Sequence, residues 1–230
     1  MMSKTIVIVG ASRGIGKELL TIFTQNENFD VYILTRNISE LASFSEFKNV
    51  NLNVFDLNSI HVKEDAEKLF SSLKKIDILI NNAGKLVNKP FLELSHQDIL
   101  DCYQTNVIGV METIQAALPK MIENGGHIVN ISSVGGFQGS VKFAGLSAYS
   151  TSKAALVSLT EMLAEEFKET KLKINCLCLG AVQTEMLEEA FPGYQAPLSA
   201  KEMAEYIADF ALTADRFMNG KIIPVSLSTP

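Results

Sequence analysis

Residues 5–16 read Thr-Ile-Val-Ile-Val-Gly-Ala-Ser-Arg-Gly-Ile-Gly, an apolar strand-like run that leads directly into a turn with three glycines. An amphipathic helical pattern over 16–24 follows the turn. Gly10, Gly14 and Gly16 permit a positive φ and a close approach of the backbone to a phosphate, and the helix start offers unpaired N–H groups. Between a strand and a helix, the spacing G-x-x-x-G-x-G predicts a dinucleotide-binding turn; the alternative is an ordinary glycine-rich turn.

Short apolar runs alternate with longer amphipathic segments, which is typical of a parallel sheet with helices on both faces. Right-handed crossovers then favour a single doubly wound, Rossmann-type α/β domain over residues 1–230, with a mostly parallel seven-stranded sheet. The predicted strands are 5–9, 31–35, 51–55, 78–81, 127–131, 173–177 and 222–225. The predicted helices are 16–24, 59–73, 98–123, 148–169 and 200–213.

Composition limits the classes of function. The chain is 47% hydrophobic with a formal net charge of -6, so we expect no nucleic-acid partner and no attraction to an anionic membrane. No apolar stretch approaches the roughly 20 residues of a membrane span, and residues 1–4 resemble a mature cytoplasmic start. Cys102, Cys176 and Cys178 lack metal-binding spacing, so we expect no metal, a reducing compartment, and burial of the last two.

The end of the second predicted strand bears on which dinucleotide binds. An acidic side chain there would pair with a ribose 2′-hydroxyl, whereas an arginine accommodates a 2′-phosphate. Segment 31–37 contains no acid, so Arg36 together with Arg13 predicts NADP(H); the alternative is that Arg36 is merely solvated. Asp56, after the third strand, is expected either to contact the adenine amino group or to cap the next helix.

Tyr149 and Lys153 lie four residues apart on a predicted helix, so their side chains share one face. A phenol with a pKa near 10 is a poor base at neutral pH, but a nearby ammonium would lower that pKa. Alone, the pair would read as a half-buried tyrosine beside a surface lysine. The strand-like segment 126–133, however, is expected to bring Ser133 to the same crevice to bind a carbonyl oxygen, with Ser132 as its competitor.

These motifs occur in the order found in the short-chain dehydrogenase/reductase family, which the sequence resembles over nearly its whole length. Within that family, the sequence resembles the 3-oxoacyl-ACP reductases. The likeness includes the glycine turn and the segment Asn81-Asn82-Ala83-Gly84. It implies that Tyr149 is the general acid/base, Ser133 orients the carbonyl, Lys153 activates Tyr149, and Asn106 anchors a water-mediated proton relay. The implied cofactor-binding residues are Gly10, Ser12, Arg13, Gly14, Ile15, Gly16, Arg36, Asn37, Asp56, Leu57, Asn82, Ala83, Gly84, Tyr149, Lys153, Gly180, Val182 and Thr184.

The sequence departs from the family pattern in two places. The interval between Ser133 and Tyr149 is a few residues longer than usual, so we expect this loop to contribute to substrate selection. After the sixth strand, Leu179-Gly180 stands where the family has Pro-Gly, and the loss of the proline is expected to loosen the turn. The resemblance still implies that the Val182 backbone meets the nicotinamide carboxamide and that Thr184 approaches the carboxamide or the phosphate.

The resemblance implies hydride transfer between NADP(H) and a small-molecule carbonyl or secondary alcohol. A 3-oxoacyl thioester or a ketone fits, and so does a sterol, a sugar or a xenobiotic. Two alternatives remain: a non-catalytic NADP(H)-sensing or scaffold protein, and a nucleotide-sugar epimerase or dehydratase. A homodimer or homotetramer is implied, through the helices containing Asn106 and Tyr149 and through segment 221–228. Residues predicted to line an apolar pocket, or else to pack in the core, are Leu86, Val87, Phe91, Phe137, Phe143, Met186, Leu187, Phe191 and Tyr194.

Overall fold

The computed structural model describes residues 3–227, and its central element is a seven-stranded sheet in which all neighbouring strands run parallel. The order is β3-β2-β1-β4-β5-β6-β9, so the chain changes direction across the sheet between β1 and β4. Ligands of such sheets bind beyond the carboxyl ends of the strands at that point. The strands are β1 (Lys4–Val9), β2 (Phe29–Thr35), β3 (Val50–Val54), β4 (Ile78–Asn81), β5 (Gly126–Ser133), β6 (Leu172–Leu179) and β9 (Ile222–Val225).

Helices cover both faces of the sheet, because the strands present buried apolar side chains on each side. Helices α1 and α7 pack on one face, and α2, α4 and α5 pack on the other. A separate pair of two-residue strands, β7 (Val182–Gln183) and β8 (Leu198–Ser199), flanks the sixth helix. The helices are α1 (Gly14–Thr24), α2 (Val62–Phe70), α3 (His96–Tyr103), α4 (Gly109–Ala117), α5 (Ser147–Glu166), α6 (Glu185–Ala190) and α7 (Ala200–Thr213).

The predicted fold class and all seven main strands are confirmed, with 78–81 and 222–225 matching in both bounds. The single helix predicted over 98–123 is wrong. It is divided into α3, a π-helical turn (Gln104–Ile108), α4 and a 3-10 turn (Leu118–Lys120) that contains Pro119. A π turn adds one residue to the helical repeat, and such turns are frequent at functional sites.

Other predictions on the fold have mixed outcomes. Burial of Cys176 and Cys178 is confirmed, since both are fully enclosed in β6. The expected start at Met1 and the end of segment 221–228 at Ser228 lie outside the described residues. None of the helices that the structure describes is long and apolar enough to cross a membrane.

A buried polar network joins β5, β6 and α7. The ring of His127 donates from Nδ1 to the carbonyl of Ala211 at 3.0 Å, and its Nε2 accepts from Nδ2 of Asn175 at 3.0 Å. The Asn175 oxygen in turn accepts from the backbone N–H of Lys221 at 3.0 Å. These partners suit a neutral imidazole, and burial lowers the pKa of His127 below its ordinary value.

Because His127 is buried as a neutral imidazole, we expect the protein to lose stability in mild acid. The unfolded histidine titrates near pH 6.5, whereas the folded one titrates lower, so the unfolded state binds more protons in between. The stabilisation is therefore present above about pH 6.5 and is lost as the pH falls toward the folded pKa. We expect thermal unfolding of the wild type to shift downward between about pH 7 and 5.5, and to shift less in His127→Gln. Equal shifts would contradict the assignment.

Candidate active site

A cleft with a volume of about 400 Å³ opens beyond the carboxyl ends of the central strands, at the point where the strand order reverses. Its walls come from the turn after β1, the segment after β4, the end of β5, the first turns of α5, and the region of β7 and α6. The predicted site residues that line it are Arg13, Gly14, Ile15, Asn82, Gly84, Ser133, Tyr149, Lys153, Gly180, Val182 and Thr184.

The glycine turn is built by close contact with the segment after β4. Gly10 has a φ of +86°, and a Cβ there would lie 2.6 Å from the Cα of Ala83. The carbonyl of Gly10 accepts from Nδ2 of Asn82 at 2.6 Å, and a Cβ on Gly16 would overlap that same carbonyl oxygen. Gly10, Gly16, Ala83 and the partly buried Ser12 therefore shape the turn without lining the cleft.

The start of α1 fits a bound pyrophosphate. Helix α1 begins at Gly14, which has a φ of +54°, and no side chain caps its first N–H groups within the described residues. Gly14 and Ile15 line the cleft, so these N–H groups and the positive end of the helix dipole are available to an anion there. A Cβ on Gly14 would also lie 3.3 Å from the side chain of Thr184, across the cleft entrance.

The two arginines predicted to bind a 2′-phosphate have different surroundings. Arg36 lies exposed just beyond β2 and forms no ion pair with the described part of the chain. Arg13 is held by Glu189 of α6, with Nη2 and Oε2 3.0 Å apart and Nη1 bound to the other carboxylate oxygen. Sequence reasoning missed this pair, because nothing in the local pattern of α6 indicates a partner 176 residues away. A phosphate at Arg13 would have to share the guanidinium with Glu189.

The other residues predicted for the adenosine side lie at the ends of β2 and β3, outside the lining of the cleft. Asn37 accepts from the N–H of Ser39 at 3.1 Å. Leu57 has a buried side chain that packs against Gly109. Asp56 as a helix cap is wrong: α2 begins at Val62, and the carboxylate instead accepts from the N–H of Asn58 at 3.0 Å.

The side chains of the predicted catalytic residues come from two elements, the end of β5 and the first turns of α5. Ser133 ends β5, and its hydroxyl hydrogen-bonds with Tyr149, which lies in the first turn of α5. One turn further along α5, the Nζ of Lys153 donates to the carbonyl of Ile131 at 2.8 Å. Ser132 points elsewhere, since its hydroxyl donates to the carbonyl of Lys153 at 2.9 Å. Of the two serines, Ser133 is therefore the one with its hydroxyl toward Tyr149.

Burial shifts the pKa values of both Tyr149 and Lys153. It raises the pKa of Tyr149 to about 12, and the hydrogen bond with Ser133 lowers that pKa only in part. Burial also lowers the pKa of Lys153 to about 8. Burial thus dominates the pKa of Tyr149, and the activation of Tyr149 by Lys153 stays a prediction. The phenol is protonated throughout the neutral range.

Asn106 is fully buried in the π-helical turn and does not line the cleft. Its Oδ1 accepts from the N–H of Lys85 at 2.8 Å, and its Nδ2 donates to the carbonyl of Lys85 at 2.9 Å. The same Nδ2 donates to the hydroxyl of Ser152 at 2.9 Å, and that hydroxyl donates to the carbonyl of Tyr149 at 2.7 Å. The Asn106 side chain therefore ties the segment after β4 to the helix that carries Tyr149.

The substrate side of the cleft is mainly apolar. Of the predicted pocket residues, Leu86, Phe143, Met186, Leu187, Phe191 and Tyr194 line it. Val87 instead packs with Cys102 in a small core cluster, as the core alternative predicted. The pocket assignments of Phe91 and Phe137 are wrong: Phe91 is 74% exposed, and Phe137 lies outside the cleft. Sequence reasoning missed lining residues that lie next to predicted ones or at strand ends, namely Ile131, Val134, Leu146, Leu179, Ala181, Glu185 and Ser226.

The turn after β6 is held in place although it lacks the proline. The N–H of Gly180 donates to the carbonyl of Val225 in β9 at 2.9 Å. A Cβ on Gly180 would meet the Ser226 side chain, so glycine allows the two segments to approach closely. These two contacts tie the turn to the neighbouring strand, and its loosening by the loss of the proline stays a prediction.

Known proteins resemble this chain over most of its length. A family model described as short chain dehydrogenase matches residues 4–195. The rat 3-oxoacyl-[acyl-carrier-protein] reductase is 32% identical over 190 residues, covering 80% of this chain and 78% of the relative. An uncharacterized oxidoreductase of Staphylococcus saprophyticus is 30% identical over 227 residues, covering 95% of each. The solved structure of ElxO with NADP bound has a TM-score of 0.84 and 26% identity, covering 97% of both chains.

Proposed function

Because the chain belongs to the short-chain dehydrogenase family, we propose that it is an NADP(H)-dependent oxidoreductase that interconverts a carbonyl and a secondary alcohol. The observation that carries the proposal is the meeting of Ser133, Tyr149 and Lys153 at a cleft whose opposite wall is the glycine turn. The similarity to a reductase and to a structure with NADP bound supports both the reaction class and the cofactor.

In the proposed site, the first turn of α1 binds the pyrophosphate, and the segment around Asn82 and Gly84 together with Val182 and Thr184 holds the nicotinamide half. NADPH, when bound, supplies the hydride that forms the new C–H bond. Arg36 binds the 2′-phosphate, and Arg13 also contacts it with a guanidinium that is shared between the phosphate and Glu189. Asn37, Asp56 and Leu57 are proposed to contact the adenosine half, with Ser12 contributing from the turn.

The proton chemistry belongs to the chain's own residues. The hydroxyl of Ser133 donates a hydrogen bond to the carbonyl oxygen, and Tyr149 transfers its phenolic proton to that oxygen as the C–H bond forms. Since the pKa of Tyr149 is raised to about 12, the donor is protonated at neutral pH. Lys153 and Asn106 are proposed to return a proton to Tyr149 through water. Alcohol oxidation reverses these transfers and requires the phenolate, so it is favoured at higher pH.

The test of the proposed function is a titration with NADPH and NADH, followed by a panel of ketones and 3-oxoacyl thioesters monitored by NADPH absorbance. We expect NADPH to bind more tightly, and Arg36→Asp to reverse the preference because a carboxylate repels the 2′-phosphate and accepts from a 2′-hydroxyl. We expect the wild type to bind NADPH about 10-fold or more tightly than NADH, and Arg36→Asp to bind NADH about 10-fold or more tightly than NADPH. Tight NADPH binding without turnover of any compound would instead support a cofactor-sensing protein.

The substrate is proposed to be a small molecule with an apolar body, in keeping with the apolar lining of the cleft. A cytoplasmic location is supported by the three free cysteines, all buried.

A homodimer or homotetramer is supported by partly exposed apolar residues on α3, α4 and α5. They are Ile99, Leu100, Met111 and Met162. Sedimentation that shows a strict monomer at micromolar concentration would contradict the proposed assembly.

A further inference from the structure

The lengthened segment between Ser133 and α5 is organised by one lysine. Lys142 is an exposed residue, but its ammonium turns back onto the segment. Its Nζ donates to the carbonyl of Phe137 at 2.6 Å, to the hydroxyl of Ser140 at 2.8 Å and to the carbonyl of Gly135 at 3.1 Å. These three acceptors match the three N–H donors of an ammonium. Within the described residues, Lys142 forms no ion pair with a carboxylate.

One acceptor of Lys142, the carbonyl of Gly135, belongs to a turn that directly follows Ser133. Residues Val134–Gly136 form a 3-10 turn, and the N–H of Gly135 donates to the hydroxyl oxygen of Ser133 at 3.2 Å. The carbonyl of the same Gly135 accepts from Lys142. The ammonium is thus connected to the Ser133 hydroxyl through a single residue.

This turn also packs closely against α5. Gly135 and Gly136 carry no side chains, and they press against α5 so closely that added Cβ atoms would lie 2.7 Å from Ser150 Oγ and from the backbone N of Ala154. The buried Ser140 hydroxyl lies within hydrogen-bonding distance of the carbonyls of Val134 and Phe137, and so it extends the same cluster. Polar contacts to the backbone, together with this packing on α5, therefore fix the turn.

We propose that Lys142 is a positioning residue, which keeps the N–H of Gly135 on the Ser133 hydroxyl and thereby directs the Ser133 proton toward the substrate carbonyl oxygen. The proposal rests on the proposed function, because it assigns Lys142 to the same carbonyl-binding group. The Gly135 N–H occupies one lone pair of the Ser133 oxygen, so it restricts the rotation of the hydroxyl. A shift of the turn changes the direction in which Ser133 donates, and small displacements of this kind are costly to the reaction.

The first test compares Lys142→Met, which keeps the length of the side chain without the ammonium, with Lys142→Arg, which keeps donors. Lys168→Met is the matched control, because Lys168 lies on the surface, away from the cleft, and pairs with Glu165. We expect Lys142→Met to lower kcat for ketone reduction about 10- to 100-fold, with KM and NADPH binding within about twofold of the wild type. Lys142→Arg is expected to recover most of the loss. A raised KM with unchanged kcat would overturn the proposal.

The pH profile of alcohol oxidation gives a readout that a merely structural role would not move. The Ser133 hydrogen bond lowers the pKa of Tyr149, so a displaced Ser133 should move the profile of Lys142→Met to higher pH. Lys142→Arg and Lys168→Met are expected to keep the wild-type profile. A lower kcat with an unmoved profile in Lys142→Met would also overturn the proposal.

Hydrogen exchange of the peptides that cover 134–146 separates this proposal from the proposed function. We expect exchange there to become at least about 10-fold faster in Lys142→Met, and to stay at the wild-type rate in Lys142→Arg and Lys168→Met. If the wild type turned over none of the carbonyl compounds, the proposed function would be wrong. Hydrogen exchange would still test whether Lys142 holds the turn. Unchanged exchange in Lys142→Met would overturn the positioning role, whether or not the enzyme is active.

Discussion

Tyr149→Phe is expected to lower kcat for ketone reduction by about 10²- to 10⁴-fold and to leave NADPH binding within about twofold of the wild type. The substitution removes only the phenolic oxygen, which supplies the proton in the proposed reaction. The ring remains packed in the first turn of α5, so the wall of the cleft is preserved. Ser133 and Lys153 also remain, which leaves the carbonyl bound and oriented but without its acid.

The measurement is steady-state reduction of the best ketone from the panel, together with an NADPH titration by fluorescence. Tyr206→Phe is the matched control, since Tyr206 lies 42% exposed on α7 and contacts Phe210 rather than the cleft. We expect this control to keep wild-type kcat. Wild-type turnover in Tyr149→Phe would remove Tyr149 from its role, whereas a matching loss of NADPH binding would indicate a disturbed cleft.

The sequence was sufficient for the sheet because its central strands are short runs rich in Ile, Val and Leu that are buried on both faces. The glycine turn was equally readable, since its position between β1 and α1 constrains what it can do. Gly10 and Gly16 are required by backbone contacts with Ala83 and within the turn itself. These features depend on local pattern, and the parallel topology then brings them to one edge of the sheet.

What the sequence did not reveal depends on contacts between distant or irregular segments. The pairing of Arg13 with Glu189 joins residues 176 positions apart, and α6 is too short for a helical period to be detected. Helix 98–123 was predicted as continuous because no glycine or proline lies within the π turn at Asn106. The raised pKa of Tyr149 was missed for a different reason: desolvation is set by the finished packing, not by the spacing of Tyr149 and Lys153.

Lys153→Met is expected to change activity and stability in opposite directions. Lys153 is only 3% exposed, and burial lowers its pKa from 10.5 to about 8. A cation that is protonated at neutral pH in such a place opposes folding, and the shift corresponds to about 3 kcal/mol. Methionine fills a similar volume without a charge, but it loses the hydrogen bond to the carbonyl of Ile131. We therefore expect a net gain of about 1–2 kcal/mol in the free energy of unfolding.

The same change should lower kcat about 10²-fold or more, because it removes the group that is proposed to return the proton to Tyr149. Thermal unfolding at pH 7 checks the stability, with an expected rise in Tm of about 2–8 °C and Lys168→Met as the control. A lower Tm at pH 7 would show that the Ile131 hydrogen bond and the local packing outweigh the burial of the charge.

The pH dependence of the stability difference tests whether the buried ammonium of Lys153 causes the gain in stability. In the wild type, the unfolded state binds more protons than the folded state between about pH 8 and 10.5, so the opposition of Lys153 to folding is fully present below pH 8 and fades above it. The difference in stability between Lys153→Met and the wild type should accordingly be largest near neutral pH and shrink toward pH 10. A difference that stays constant over this range would mean that methionine acts through packing alone, and the role of the buried ammonium would have to be abandoned.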